Sequence, residues 1–370
     1  MHIILLFTYG YSLKMWKDSG SLDRELIYYK KLQDAYDLKF TFVTFGDEDD
    51  QNYVDFIEVI PVYKFIKKRK SKLLNYILSF YYPFLIKKQL NEGDIIKQNQ
   101  LLGSWIAIIL KFIINKPLFV RTGYDMYKFS INDKKNSGVK FLYKVLTKIT
   151  LSFADLYTVS SQNDLSFICN NFKVKNKEKL IVRPNWVEEI FTKNFNVRNE
   201  FSILNVGRLE MQKNQIEILK ALDSLNYQLT IYGEGSKKEE LIQEASKLNV
   251  KLTIKDFVSY SDLKNTYNNF KFFILSSSFE GNPKVLLEAM SAGCIVIAKN
   301  IPNNSELIQN KIDGFLYDSL KDLKKCLYNI DQQKYDLLEI SNNAKSNVLK
   351  KHSILTICEQ EWNDIKNLVD

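Results

Sequence analysis

Histidine is almost missing from this chain: His2 and His352 are the only two in 370 residues. Imidazole is the commonest proton-moving group in enzymes, so acid–base chemistry here has to rest on other side chains, and a histidine-rich metal site is excluded. Cysteine is nearly as scarce. Cys169, Cys294, Cys326 and Cys358 are scattered with no Cys-x-x-Cys pair, which removes the common zinc spacings and fits a reducing compartment. Long apolar runs are missing too. The longest, LLGSWIAIILKFIINKP at 101–117, is broken by Lys111 and falls short of the ~20 residues that span a bilayer. The apolar start HIILLF has no charged leader and reads as a first strand rather than a secretory signal. One stretch has no acid at all: residues 64–88 hold eight Lys or Arg with aromatic residues between them.

What is present is an ordinary globular composition, 45% hydrophobic and 26% charged. The length exceeds the ~250–300 residues at which a single core stops growing, so two domains are expected. In the amino half HIILLF, KFTFVTF, DIIKQ, PLFVR and DLYTVS alternate with helical patterns; strand-like runs near 202, 229, 252, 272 and 294 do the same later. That rhythm predicts an α/β protein with parallel sheets, two Rossmann-like domains facing across a cleft, and ligand at the carboxyl ends of the strands. Periodicity is lost in NWVEEIFTKNFNVRNE, which places a first domain at 1–196 and a second at 197–351. By periodicity alone the final segment, 352–370, fits either one.

The most informative string is FEGNPKVLLEAMSAGC. KFFILS before it suits a buried strand; Asn282 is a good N-cap, Pro283 suits the first helical position, and Gly293 suits the helix end. The free N–H groups and positive dipole end of such a helix make an anion site. Glu280 precedes that site and Glu288 lies more than a turn inside the helix, so both read as hydroxyl receptors flanking a phosphate. In ILNVGRLEMQKNQ a strand leads to Gly207, then to Arg208 and Lys213, two cations suited to a pyrophosphate. LTIYGEGSKKEELI places Gly233, Glu234 and Gly235 between a strand and a helix, a turn where backbone can approach a ligand closely.

These elements, in this order, resemble the carboxyl half of family-4 retaining glycosyltransferases of the GT-B fold: VGRL with Lys213 and Asn214, YGEG, KDFVS, EGNPKVLLEAMSAG followed by CIVIA, and NKIDGFLY. The resemblance implies that Arg208 and Lys213 hold the donor diphosphate and stabilise the leaving group, that Glu288 takes the ribose hydroxyls, and that Glu280 holds the donor sugar. It places the amides of Gly281 and Asn282, with Lys284, Val285, Gly207, Gly233 and Glu234, around the donor, and Phe257 and Val258 beside the nucleobase. In the amino half, Gly10 after the first strand and Gly20 at a helix start could bring backbone amides to the donor phosphates, although the loop between them differs from the paired glycines of the family. Arg121, Gly123 and Tyr124 fall on the acceptor or sugar side, and Asp125 or Arg121 is the catalytic candidate where relatives carry a histidine, the alternative being a structural turn. The resemblance also implies retention at the anomeric carbon, the departing phosphate helping to take the acceptor proton, and a terminal helix crossing back to the first domain. The donor would be a UDP- or GDP-sugar.

Metal is not required in this reading, because cations and a helix dipole offset the diphosphate. The string Asp47, Glu48, Asp49, Asp50 is remote from the donor motifs and reads as a solvated turn. Basic residues framing an apolar stretch at 64–88 suit an anionic membrane surface. Together these features imply a cytoplasmic hexosyltransferase, peripheral on the inner face of the membrane, acting on a glycan or a polyprenyl-diphosphate-linked acceptor in bacterial surface polysaccharide synthesis. The rival readings are a nucleotide-sugar epimerase, which the histidine shortage opposes, and a catalytically silent membrane scaffold. No nucleic-acid module is visible.

Overall fold

The computed structural model describes residues 1–192 and 194–369. The chain divides into two compact units, residues 1–184 with 357–370, and residues 185–356. The stretch that loses periodicity begins the second unit. Val187 and Ile190 are buried there, the Asn185 amide donates to Asn282 Oδ1 at 3.0 Å, and the Ile190 amide donates to Ser291 Oγ at 3.2 Å.

The first unit is built on seven parallel strands: β1 (His2–Leu6), β2 (Lys39–Thr44), β3 (Glu58–Pro61), β4 (Ile95–Asn99), β5 (Leu118–Arg121), β6 (Leu156–Val159) and β7 (Leu180–Val182), in the order β3-β2-β1-β4-β5-β6-β7. All of β1 is buried, as expected of a central strand covered on both faces. The second unit carries β8 (Asn199–Val206), β9 (Gln228–Tyr232), β10 (Lys251–Lys255), β11 (Phe270–Leu275), β12 (Ile295–Lys299) and β13 (Phe315–Tyr317), in the order β10-β9-β8-β11-β12-β13. Both sheets are parallel, the α/β architecture that the alternation of strands and helices predicts.

Strand order decides where a ligand can sit. In an open parallel sheet the crevice lies where the order reverses, outside the carboxyl ends of the two strands concerned. In the second unit these are β8 and β11, whose carboxyl ends lead directly into Gly207 and into the loop that carries Glu280. In the first unit they are β1 and β4, and Gly10 lies just beyond β1.

Residues 357–369 of the terminal helix, Ile354–Val369, are anchored on the first unit by buried charge. Glu361 pairs with Lys97 on central strand β4 and accepts the Tyr28 hydroxyl at 2.9 Å. Arg183 grips Asp364 with two nitrogens, each at 2.6 Å, and the Trp362 ring stacks on Tyr36 at 5.2 Å.

Candidate functional site

The donor motifs meet at the carboxyl edge of the second sheet. After β11 the chain turns through buried Ser276 and Ser277 and enters the helix Lys284–Ser291. The N-cap is Pro283, not Asn282. Asn282 has other work: its side-chain oxygen takes the Asn185 amide, and its carbonyl takes Asn185 Nδ2 at 2.6 Å. Pro283 itself offers no side-chain cap to the first turn, and a helix start of this kind can face an anion. Gly293 closes the helix as expected, at φ +68°, with its amide on the Met290 carbonyl and that of Cys294 on the Ala289 carbonyl, both at 2.9 Å.

Glu280 and Glu288 are both buried. Glu288 accepts the Tyr267 hydroxyl at 2.9 Å. Glu280 receives Lys213 Nζ at 2.6 Å, although the sequence reading aims Lys213 at a diphosphate. Three bonds force that meeting: Gln212 Nε2 to the Phe279 carbonyl at 2.7 Å, the Ser278 amide to the Gln212 carbonyl at 2.8 Å, and Ser276 Oγ to the Lys213 carbonyl at 2.8 Å. The loop after β8 is thus knitted to the loop after β11. Arg208 is exposed beside them, and its carbonyl is held by buried Gln215 at 3.0 Å. An acid and an ammonium in contact can bind a sugar hydroxyl and a phosphate side by side, each orienting the other.

The glycines of the YGEG turn serve the protein's own backbone. A Cβ on Gly233 would lie 1.9 Å from the Gly207 carbonyl oxygen, and one on Gly235 would lie 2.4 Å from that of Leu209. The amides of Gly207 and Leu209 bond to the carbonyls of Tyr232 and Glu234 at 3.0 and 2.8 Å. The close approach expected for a ligand is therefore made by the loop that carries Arg208. Gly233→Ala is expected to cost about 3 kcal/mol, as overpacking against immovable backbone does, visible as a lower denaturant midpoint; an unchanged midpoint would refute the contact.

Glu234 is exposed, Lys284 and Val285 are half-buried, and Val258 packs on the apolar cluster under the helix while Phe257 stays exposed after β10. The Gly281 carbonyl is held by Asn303 Nδ2. Sequence reading missed Asn303, Tyr267 and Gln212, and a further group at the end of β12: Lys299 Nζ on Glu217 at 2.6 Å, with Asn214 Nδ2 on the same carboxylate at 3.0 Å. The one available signal was a lysine closing an otherwise apolar strand.

In the first unit, Gly20 ends a short helix, Leu13–Asp18, inside what the sequence presents as a loop. Its amide is taken by the Lys17 carbonyl at 2.9 Å, so it is not offered to a phosphate. Gly10, at φ +83°, lies in an open turn. The acidic string is only partly a solvated turn: Asp50 is buried and caps that same short helix, accepting the Leu13 and Lys14 amides at 3.1 and 2.9 Å.

Arg121 donates to the Pro184 carbonyl at 3.3 Å, Gly123 is bracketed by Gln100 and Ser160, and Tyr124 packs on Phe129. Asp125 is buried and N-caps the helix Met126–Asn132 through Oδ1, at 2.6 Å from the Lys128 amide, while Oδ2 has no hydrogen-bond partner. Burial lifts its carboxyl to about 6, the neighbouring Asp164 charge adds to the rise, and the Lys128 amide and ammonium oppose it. A raised carboxyl favours the fold fully below its ordinary value of 3.8 and loses that contribution as pH climbs through about 6. Asp125→Asn keeps a good cap, so its melting temperature relative to wild type should rise between pH 4 and pH 7; a constant difference would contradict this.

Among the described residues, no group of three or more His, Cys, Asp or Glu is placed to hold a metal ion, and no helix is long and apolar enough to cross a membrane.

Residues 187–345 match the family Glycosyl transferases group 1. The chain is 26% identical over 288 residues to the Escherichia coli UDP-Gal:alpha-D-GlcNAc-diphosphoundecaprenol alpha-1,3-galactosyltransferase, covering 72% of this chain and 71% of that one. It is 26% identical over 232 residues to a Campylobacter jejuni alpha-1,4-N-acetyl-D-galactosaminyltransferase named for a diNAcBac-PP-undecaprenol glycan, covering 60% and 62%. In fold it is similar to Anabaena Alr3699/HepE in complex with UDP, with a TM-score of 0.79 at 17% identity over the full length of both chains. The apo lipopolysaccharide outer core galactosyltransferase WaaB gives 0.72 at 18%, covering 99% of each.

Proposed function

We infer that this chain, whose residues 187–345 match the Glycosyl transferases group 1 family and whose fold is similar to solved GT-B structures, is a retaining glycosyltransferase that moves a hexose-type sugar from a nucleotide diphosphate to a lipid-linked glycan. The observation that carries it is a pair of buried carboxylates at the β8/β11 reversal, one against Lys213 and one on Tyr267, on either side of a helix N-terminus to which Pro283 offers no side-chain cap. Helix amides, Lys213 and Arg208 neutralise the diphosphate, Glu288 receives the ribose diol, and Glu280 orients the sugar. During transfer the anomeric bond to the diphosphate breaks and a new bond to the acceptor oxygen forms on the same face. The acceptor proton passes to the departing phosphate oxygen, which spares the protein a strong base. The protein positions groups and offsets charge. Asp125, with its unpartnered oxygen and lifted carboxyl, is the acid–base candidate of the first unit.

Uridine is the preferred base of this reading, and a polyprenyl-diphosphate glycan the preferred acceptor, because the relatives named above carry those words. Calorimetric titration with UDP and GDP in the presence of EDTA tests it. UDP should bind without divalent ion, and Glu288→Ala should weaken it about 10-fold, the worth of one charge-assisted hydroxyl contact. Equal affinity in the variant would remove the ribose assignment. Conversion of a nucleotide sugar to its epimer without acceptor would favour the epimerase, and donor binding with no turnover on any acceptor would favour the silent scaffold.

Access to such an acceptor is from the membrane surface. Within residues 64–88, Leu73, Leu74, Ile77, Phe80, Tyr81 and Phe84 are exposed among the eight basic residues, a composition suited to anionic headgroups on the inner face of the cytoplasmic membrane. Vesicle flotation should require acidic lipid and should fall when Lys67, Lys68, Arg69 and Lys70 are neutralised; unchanged flotation would return the segment to a solvated basic face.

A further inference from the structure

The helix Ser137–Phe153 in the first unit buries Thr147, Thr150 and Leu151, with Thr150 Oγ1 on Ser104 Oγ at 2.7 Å, and it also leaves Phe141, Leu142, Ile149 and Phe153 exposed. Phe141 is 69% exposed, and Phe112 of the helix Ser104–Ile114, 64% exposed, meets Phe153 edge-on at 5.6 Å. A helix that borders water alone gains nothing from a second apolar stripe on its outer side, and contiguous exposed patches of this kind mark contact surfaces.

Charge selects the occupant. Residues 137–153 contain Lys140, Lys144 and Lys148 and no acid, and 104–116 contain Lys111 and Lys116 and no acid. Lys111 is already paired with Asp155 at 2.7 Å, so Lys140, Lys144 and Lys148 carry the net charge of the face, and a second copy pairing through it would set these like charges against each other. An anionic lipid surface complements it, with apolar rings entering the acyl boundary and ammonium groups on the phosphates.

We propose that the outer face of Ser137–Phe153, together with Phe112, is a second bilayer-inserting face of the first unit, separate from residues 64–88, and takes anionic phospholipid. The helices Tyr82–Leu90, Ser104–Ile114 and Ser137–Phe153 pack in succession, so the two faces flank one helical layer. Two attachment points hold the unit in a fixed orientation on the membrane, where a single amphipathic segment leaves it free to swivel. The inference extends the membrane part of the proposed function and is independent of the transfer chemistry.

The test is flotation of full-length protein with phosphatidylcholine vesicles containing phosphatidylglycerol, comparing wild type with Phe141→Ser/Leu142→Ser/Ile149→Ser and with the variant neutralised at residues 67–70. The exposed positions tolerate serine, and an unchanged melting temperature and UDP titration report the fold. The serine variant should lose at least about tenfold in lipid partition while residues 64–88 stay native, and Phe141→Trp should retain it. Partition equal to wild type would overturn this face even if the 67–70 variant no longer floats. Sedimentation in lipid-free buffer that shows a dimer dissolved by the serine changes would also overturn it, and would assign the face to a second copy.

Discussion

Lys213→Ala should lower kcat for sugar transfer by about 10²–10³-fold, the usual cost of removing one preorganised charge donor from a developing oxyanion. The lysine ammonium lies 2.6 Å from Glu280 Oε1, and both side chains are largely buried, so its charge acts with little screening by water. In the proposed reaction its removal would take a cation from the departing diphosphate, and it leaves Glu280 without its ion-pair partner, so the carboxylate proposed to orient the sugar should suffer too. Glu280→Ala should therefore be comparably impaired, and the double variant little worse than either single one, because coupled residues are not additive. Lys213→Arg should recover part of the rate. The measurement is release of nucleotide diphosphate in the presence of acceptor, with circular dichroism to report the fold. A Lys213→Ala enzyme within threefold of wild type would remove the diphosphate assignment.

Glu361→Ala should destabilise the first unit by about 3–5 kcal/mol, the cost of leaving one member of a buried ion pair alone. Lys97 is buried on central strand β4 and has Glu361 as its counter-charge, while the same carboxylate takes the Tyr28 hydroxyl. Burial already pushes the Lys97 ammonium below its ordinary pKa, with Glu361 holding it up, so loss of the acid leaves a cation that must either deprotonate or draw in water. Lys97→Met/Glu361→Leu should be close to wild type in stability, since replacing both charges by apolar volume removes the desolvation cost as well as the attraction. Denaturant unfolding followed by a probe on the first unit distinguishes these. Equal midpoints for Glu361→Ala and the double variant would show that the pair is not what anchors the helix.

Some of the site was legible because its cause is local. A strand followed by small polar residues, a proline and an apolar run ending at Gly293 specifies a buried strand, a loop and a helix with no reference to the rest of the chain, and Gly293 does terminate that helix. Other assignments failed because short polar side chains choose partners by proximity in space. Asn282 suits a cap by type, yet Asn185, 97 residues away, takes its oxygen. Asp50 belongs to an acidic run that reads as solvated, yet its carboxylate caps a helix from 36 to 37 residues away.

By itself the amino-acid sequence determined the alternation of strand and helix, the two parallel sheets that follow from it, and the positions of the acids and cations along the chain, all of which arise from backbone propensity and periodic burial over a few residues. The tertiary structure alone decided what those groups touch. Lys213 meets Glu280 across 67 residues of chain because β8 and β11 lie side by side where the strand order reverses, and the glycines of YGEG are glycines because two backbones cross there, 1.9 and 2.4 Å from where a Cβ would stand. Neither adjacency exists until the sheet has assembled, since strand order is set by the packing of whole helices on both faces and not by any local run of residues.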